Sequence, residues 1–330
     1  MFNNKKILIT GGTGSFGKSF VARLISKYKN IKKLIIFSRD EFKQYEMQQV
    51  YSPQKYKFLR YFIGDVRDKE RLDFAFKDVD YVIHAAALKQ VNTAEYNPFE
   101  FIQTNIIGAK NVIESAMNCG VSKVLALSTD KACSPINLYG ATKLCSDKLF
   151  CSANNIVGNS IKTKFSVVRY GNVFASRGSI IPLFLKQNKT KTSFTLTDKN
   201  MTRFNIFMKG AIDTVEWSLL HMKGSEIIVP KLKSFRIIDL IKSINSNPKI
   251  KIIGIRPGEK IHEELISESD SRLTIDVGKH YIILPERKFF KKYKYKNLPK
   301  QFVYRSDINE DRLNVSQIKK MLNDNKIILN

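Results

Sequence analysis

Gly11-Gly12-Thr13-Gly14-Ser15-Phe16-Gly17 decides the fold. It follows a short apolar run, Lys6 to Thr10, and opens a helical pattern from Gly17 to Lys27. Glycines at 11, 14 and 17 give GxxGxxG. A strand that turns this tightly into a helix needs no Cβ at the bend, at the closest approach to a pyrophosphate, or where helix meets turn. The helix N-terminus then offers unpaired N–H groups and partial positive charge to phosphates. The glycine spacing alone is common. Its strand–turn–helix setting predicts a dinucleotide site touching Gly11, Thr13, Gly14, Ser15, Phe16 and Gly17.

Outward from this turn, short β-branched runs alternate with longer helical patterns. Lys6 to Thr10, Leu34 to Phe37, Phe58 to Ile63, Tyr81 to His84, Val124 to Ser128 and Phe165 to Arg169 read as buried parallel strands. Helices are expected near Gly17 to Lys27, Glu41 to Tyr51, Lys69 to Phe76, Pro98 to Cys119 and Leu138 to Asn154. This predicts an α/β fold: a Rossmann-type, doubly wound parallel sheet with helices on both faces. After about Gly171 the segments shorten, with turns at Ser176-Arg177-Gly178, Asn247-Pro248 and Arg256-Pro257-Gly258. The expectation is a dinucleotide-binding domain over 1–170 that carries the catalytic residues. Residues 171–330 would form a smaller, mainly substrate-binding part that crosses back to the core.

Bulk properties narrow the class. With 43% hydrophobic and 26% charged residues in 330, a sizeable core is expected. No apolar run reaches the ~18 residues of a membrane span, and the N-terminus lacks a signal-peptide pattern, so a cytoplasmic protein is expected. Cys119, Cys133, Cys145 and Cys151 show no CxxC spacing and no histidine cluster. They are read as reduced structural thiols, with no metal site. The net charge of +26 comes from lysine scattered along the chain, which argues against nucleic acid as the main partner. One biased stretch, Arg287 to Lys296, interleaves Lys288, Lys291, Lys292, Lys294 and Lys296 with Phe289, Phe290, Tyr293 and Tyr295. It is expected to be a surface or subunit-contact segment.

The second strand ends in Ser38-Arg39-Asp40, followed by Lys43. An NAD site usually places a carboxylate there for the ribose hydroxyls. Arg39 and Lys43 could instead meet a 2′-phosphate, with Ser38 as a donor, so NADP is expected; Asp40 is the acid that could serve NAD. Asp65-Val66 suits the adenine edge, and Ala85-Ala86 leaves room beside the cofactor. Tyr139 and Lys143 stand at YxxxK spacing on one helix face. A lysine there is expected to draw the phenol's pKa down from ~10. Ser128-Thr129-Asp130-Lys131 lies at the end of the fifth strand, the edge that faces the ligand crevice.

With these residues in place, the chain resembles the extended short-chain dehydrogenases/reductases. More closely, it is similar to the inverting UDP-N-acetylglucosamine 4,6-dehydratases of pseudaminic acid biosynthesis. The resemblance runs from residue 7 to about 266. It is carried by ITGGTGSFGKSF, FSRDEFKQYEMQ, GDVRD, HAAALKQV, EYNPFEFIQTNIIGAKNVI, STDKACSPINLYGATK, RYGNVFASRGSIIPLF, DKNMTRF and GIRPGEKIHEELI. Departures from the family pattern fall at Asn92-Thr93, at Asn205 and at Phe174-Ala175, which follow Val173.

What the resemblance implies is a set of roles. Tyr139 would take the C4 hydroxyl proton, and Lys131 would remove the C5 proton, its ammonium form being disfavoured by burial, Lys143, Lys89 and the positive nicotinamide. Asp130 would protonate the departing C6 hydroxyl, and Thr129 would orient the sugar. A lysine at 131, where retaining relatives carry an acid, points to inversion at C5. Lys89, Asn172, Arg203, Arg256 and Glu259 would contact the UDP-sugar, and a homo-oligomer is expected. The rivals are a sugar-nucleotide 4-epimerase, a dehydratase/5-epimerase of capsule synthesis, and a non-catalytic NADP-binding regulator.

Overall fold

The computed structural model describes residues 1–156, 162–174, 180–325 and 327. Alternating strands and helices build its first half, and each strand lies within one residue of its expected run. They are β1 (Lys6–Thr10), β2 (Lys33–Ser38), β3 (Leu59–Ile63), β4 (Tyr81–His84), β5 (Lys123–Thr129) and β6 (Lys164–Tyr170). The intervening helices are α1 (Ser15–Lys27), α2 (Glu41–Val50), α3 (Lys69–Phe76), α4 (Val91–Tyr96), α5 (Pro98–Ile102), α6 (Gly108–Asn118) and α7 (Leu138–Ile156). The sheet order β3-β2-β1-β4-β5-β6 is parallel throughout. The order reverses between β1 and β4, which opens a ligand crevice at the carboxyl ends of these strands.

Later residues return to the same sheet. They add β7 (Asn172–Val173), β8 (Phe194–Leu196), β9 (Thr202–Ile206), β10 (Ile227–Pro230), β11 (Lys233–Arg236), β12 (Ile250–Ile252), β13 (Glu264–Ile266), β14 (Thr274–Asp276), β15 (His280–Ile283) and β16 (Tyr304–Arg305). Among these, β10 pairs parallel with β6, β15 pairs antiparallel with β10, and β14 closes the edge. The main sheet thus includes strands from after residue 170. The later helices are α8 (Ile180–Lys189), α9 (Met208–His221), α10 (Ile237–Ile244), α11 (Glu268–Ser271) and α12 (Val315–Asp324). A second apolar cluster, centred on Phe184, Phe194, Leu240, Ile318 and Leu322, belongs wholly to residues after 170.

Two expectations need correction. The single helix over Pro98 to Cys119 is interrupted by a π-helical turn, Gln103–Ile107. That turn carries Asn105, which accepts from Leu88 N (2.9 Å) and donates to Leu88 O (2.9 Å) and Thr142 Oγ1 (3.1 Å). A π-bulge re-aims one side chain in this way, here at a loop beside the crevice. The apolar pattern also gives no sign of α4, whose six residues bury only Ala94. The turn at Ser176-Arg177-Gly178 lies outside the described residues.

The basic-aromatic segment forms a 3-10 turn over Arg287–Lys292. Phe289, Phe290 and Tyr293 pack against the main core, and the Asp276–Lys296 backbone bridge ties the end of the segment to β14. The rings are thus used by the protein, and an exposed sheet edge is covered. Among the described residues, no helix is long and apolar enough to cross a membrane, and no cluster of three metal-ligating side chains occurs.

Candidate active site

Two cavities meet at the carboxyl end of β5. The first, of about 710 Å³, is lined by Gly11, Thr13, Gly14, Ser15, Phe16, Ser38, Arg39, Asp40, Lys43, Asp65, Val66, Ala85, Ala86, Thr129, Tyr139 and Lys143. The second, of about 800 Å³, is lined by Asn172, Arg203, Arg256, Glu259 and Lys89, and by an apolar wall including Phe174, Leu196 and Phe235. Lys89, Gln90, Lys131, Asn172 and Val173 line both. The structure therefore gathers nearly every expected residue. Asn92, Thr93 and Asn205 also face the second cavity.

The glycine turn behaves as its spacing demands. Gly11 has φ +65°, and a Cβ there would lie 2.9 Å from the backbone of Ala85 and Ala86. Gly17 lies behind the crevice: a Cβ on it would come within 2.3 Å of Gly12 O. Gly14 caps α1 without a side-chain bond, so the N–H groups of the first turn stay available where Ser15 and Phe16 face the cavity. An anion fits this end, and the cavity's size and position suit a dinucleotide.

At the end of β2, both expected cations already have carboxylate partners. Arg39 Nη1 is 3.6 Å from Asp65 Oδ2, and Lys43 pairs with Asp40, whose side chain also caps α2. Ser38 Oγ accepts from Gln44 Nε2 at 3.0 Å, which leaves its own hydrogen free.

The candidate catalytic cluster is built on one tight turn. Thr129 ends β5, and its hydroxyl accepts from Lys131 N (3.3 Å), which starts the 3-10 turn Asp130–Ala132. The same hydroxyl donates to Asp130 Oδ1 at 2.9 Å. One hydroxyl thus both caps the turn and holds the Asp130 side chain. Gly140 lets α7 pass close by: a Cβ there would lie 2.3 Å from Lys131 O. Lys131 Nζ donates to Asp130 Oδ1 (2.8 Å) and Asn172 Oδ1 (3.2 Å), and it sits 3.1 Å from Glu263 Oε1.

Three expectations change here. Asp130 is fully buried and lines neither cavity; Lys131 and Thr129 stand between it and any substrate. Tyr139 is not drawn down: burial pushes its phenol up to about 12, against opposing pulls from Thr129 and Lys131. Lys143 gives its ammonium to Leu127 O at 2.9 Å, and burial moves its pKa downward. The Lys131 ammonium is not disfavoured by its surroundings. Burial lowers its pKa, but Asp130 and Glu263 outweigh burial and raise it.

Glu263 is the residue that sequence reasoning missed. It lies in GIRPGEKIHEELI, where Arg256 and Glu259 drew attention because they flank the Pro-Gly turn. Its side chain is 3% exposed, and its Oε1 is 3.6 Å from Arg203 Nε as well as close to Lys131. Asn137 was also missed: its Nδ2 donates to Gly258 O at 2.8 Å, tying the Arg256-Pro257-Gly258 loop to the start of α7. Neither carries a local sequence signal, because both contacts join segments more than a hundred residues apart.

Comparison with known proteins agrees with this geometry. The model of a family described as polysaccharide biosynthesis protein matches residues 7–285. A Campylobacter jejuni subsp. jejuni protein named UDP-N-acetylglucosamine 4,6-dehydratase (inverting) is 54% identical over 293 residues, 88% of this chain and 86% of the relative. A Rickettsia bellii protein named UDP-glucose 4-epimerase is 43% identical over 98% of this chain and 96% of its own length. Among solved structures, Pen from Bacillus thuringiensis superposes with a TM-score of 0.90 at 35% identity, covering 99% of both chains. The chain belongs to the polysaccharide biosynthesis protein family and stands, within it, with the inverting UDP-N-acetylglucosamine 4,6-dehydratases.

Proposed function

We propose that the chain is a UDP-N-acetylglucosamine 4,6-dehydratase that inverts C5, yielding UDP-2-acetamido-2,6-dideoxy-β-L-arabino-hexos-4-ulose. The observation that carries this reading is Lys131, an amine at the junction of the two cavities with a buried carboxylate on either side. A 4-epimerase needs a proton acceptor at C4 but no base at C5, and a regulator needs only the dinucleotide cavity. Lys131 serves neither.

The first cavity would hold a nicotinamide dinucleotide on the α1 N-terminus, with Ala85, Ala86, Tyr139 and Lys143 beside the ring. When bound, this group supplies the hydride acceptor and donor and, when oxidised, a positive charge beside Tyr139. NADP is the form we favour, with Arg39, Lys43 and Ser38 around the 2′-phosphate. Arg39 and Lys43 would exchange Asp65 and Asp40 for the phosphate.

Tyr139 takes the C4 hydroxyl proton, and Lys131 takes the C5 proton once a C4 ketone has made it acidic. The proton for the departing C6 hydroxyl comes from Asp130 by way of the Thr129 hydroxyl, which joins that buried carboxyl to the cavity, and Thr129 orients the sugar. Lys89, Asn172, Arg203, Arg256 and Glu259 hold the UDP-sugar, the arginines through forked bonds to the diphosphate. Residues 171–330 are mainly the substrate-binding part, while 1–170 carry cofactor and chemistry. A cytoplasmic homo-oligomer completes the reading. Incubation with UDP-N-acetylglucosamine tests it: the product should lose one water and keep the UDP. A 4-epimer of unchanged mass would instead favour the epimerase.

A further inference from the structure

Two distant stretches of the chain are tied together repeatedly beside the candidate site. Lys131 Nζ lies 3.1 Å from Glu263 Oε1, and Lys260 Nζ donates to Cys133 O at 2.6 Å. Ser134 Oγ donates to Glu264 Oε2 at 2.6 Å, and Asn137 Nδ2 donates to Gly258 O at 2.8 Å. One stretch carries Lys131; the other carries Arg256 and Glu259, which line the second cavity. A strained residue lies between the ties. Ser134 has φ +44°, the left-handed region that a residue with a Cβ enters at a cost. Such a conformation persists only where its surroundings fix it. The Ser134 hydroxyl bond is exposed to solvent, which weakens its hold. The bond to the preceding peptide is better protected. Cys133 is buried, and the donor to its carbonyl is an ammonium, which makes a short, charge-assisted bond.

We propose that Lys260 is a positioning residue for Lys131: by holding the Cys133 carbonyl it keeps the turn Asp130–Ala132 aimed at the junction of the two cavities. The inference rests on the dehydratase reading. The chain of contacts is short. Cys133 N donates to Asp130 O at 3.2 Å, closing the turn on which Lys131 sits. A shift of the Cys133 peptide is therefore a shift of that turn. Its other sides are already anchored. Thr129 Oγ1 accepts from Lys131 N at 3.3 Å, and α7 passes at Gly140, where an added Cβ would lie 2.3 Å from Lys131 O. These contacts fix the start and the back of the turn, and Lys260 fixes its exit. Without Lys260, Ser134 is free to relax out of the left-handed region, and the exit of the turn follows it.

The two steps of the reaction depend on this clamp differently. Tyr139 and Lys143 belong to α7, and Lys143 is held separately, by Leu127 O at 2.9 Å. Oxidation at C4 thus has its own supports. Proton removal at C5 has only the turn, and a misplacement of about 1 Å costs on the order of 100-fold in rate. Lys260 also lines the second cavity, so its charge could instead serve the diphosphate. The two roles separate in the kinetics: a diphosphate contact acts on binding, and a positioning contact acts on turnover.

Lys260→Met keeps the apolar stem and removes the donor. Circular dichroism, cofactor affinity and KM should stay close to those of the unmodified protein, with kcat for water loss down on the order of 100-fold. Reduced cofactor should still form on mixing with UDP-N-acetylglucosamine, while deuterium uptake at C5 slows with water loss. Lys260→Arg keeps a charged donor and should restore part of the rate. A raised KM with unchanged kcat overturns the proposal, because it marks a diphosphate contact. Loss of cofactor reduction together with water loss also overturns it, because that pattern marks a general structural role. An arginine variant no faster than the methionine variant removes the Cys133 bond as the cause. If the unmodified protein releases water and Lys260→Met does so at a near-normal rate, the proposal alone falls. If the unmodified protein releases none from this substrate, the dehydratase reading falls and takes the proposal with it.

Discussion

Replacing Lys131 by methionine should unfold the protein more easily at high pH than at low pH. The ammonium lies 2.8 Å from Asp130 and 3.1 Å from Glu263, and these carboxylates are only 1% and 3% exposed. An exposed pair would be worth about 1 kcal/mol or less. Removing one partner of a buried pair costs about 3–5 kcal/mol, because a charge is left behind without compensation. Glu263 keeps Arg203 at 3.6 Å, which places the loss at the lower end, about 3 kcal/mol at neutral pH. For 330 residues that is a fall in Tm of roughly 4 °C.

The pH sign follows from the two carboxylates. Without Lys131 the burial that already raises Asp130 is unopposed by its cation, and Glu263 loses the first of the cations that hold its pKa down, so both shift upward from the unmodified protein. Each then binds its proton more tightly when folded. The defect is therefore smallest below the unfolded carboxylate pKa and grows as pH rises through the raised folded values. Denaturant unfolding of Lys131→Met and the unmodified protein at about pH 5 and about pH 8 should show the wider gap at the higher pH. An equal gap at both, or none, would refute the claim that Lys131 compensates two buried carboxylates.

Gly11→Ala should lose dinucleotide affinity by tenfold or more in a fluorescence titration. Its φ of +65° and the 2.9 Å approach to Ala85 and Ala86 leave no place for the methyl. Asn137→Ala frees the Gly258 loop. It should raise KM for the UDP-sugar about fivefold, the worth of one hydrogen bond, with kcat little changed in steady-state kinetics. Arg39→Asp should weaken NADP binding more than NAD binding by calorimetry; equal weakening would remove Arg39 from the 2′-phosphate site.

The sheet was legible because its signals are local. Lys6 to Thr10, Tyr81 to His84 and their neighbours are buried on both faces, so they read as short apolar runs wherever they occur. The glycine turn likewise states its own geometry. The π-turn at Gln103–Ile107 was not legible, since its cause is the distant Leu88 backbone that Asn105 holds. The site shows the same division. Tyr139, Lys143, Asp130 and Lys131 sit on one stretch whose spacing suggests chemistry. Glu263 reaches Lys131 from across the chain, and only the fold shows that this amine has two carboxylates. The ionisation of Tyr139 and Lys131 was misjudged for a related reason. Both depend on burial and on neighbours that no spacing records.

The fate of a solvent proton distinguishes inversion at C5 most directly. Turnover of UDP-N-acetylglucosamine in D2O, followed by mass and NMR analysis of the product, reads this in one measurement. A 6-deoxy-4-keto product with deuterium at C5 and the L-arabino configuration is expected, and none from Lys131→Met. A first product that keeps the D-xylo configuration at C5, or a Lys131→Met enzyme of near-normal rate, would contradict it.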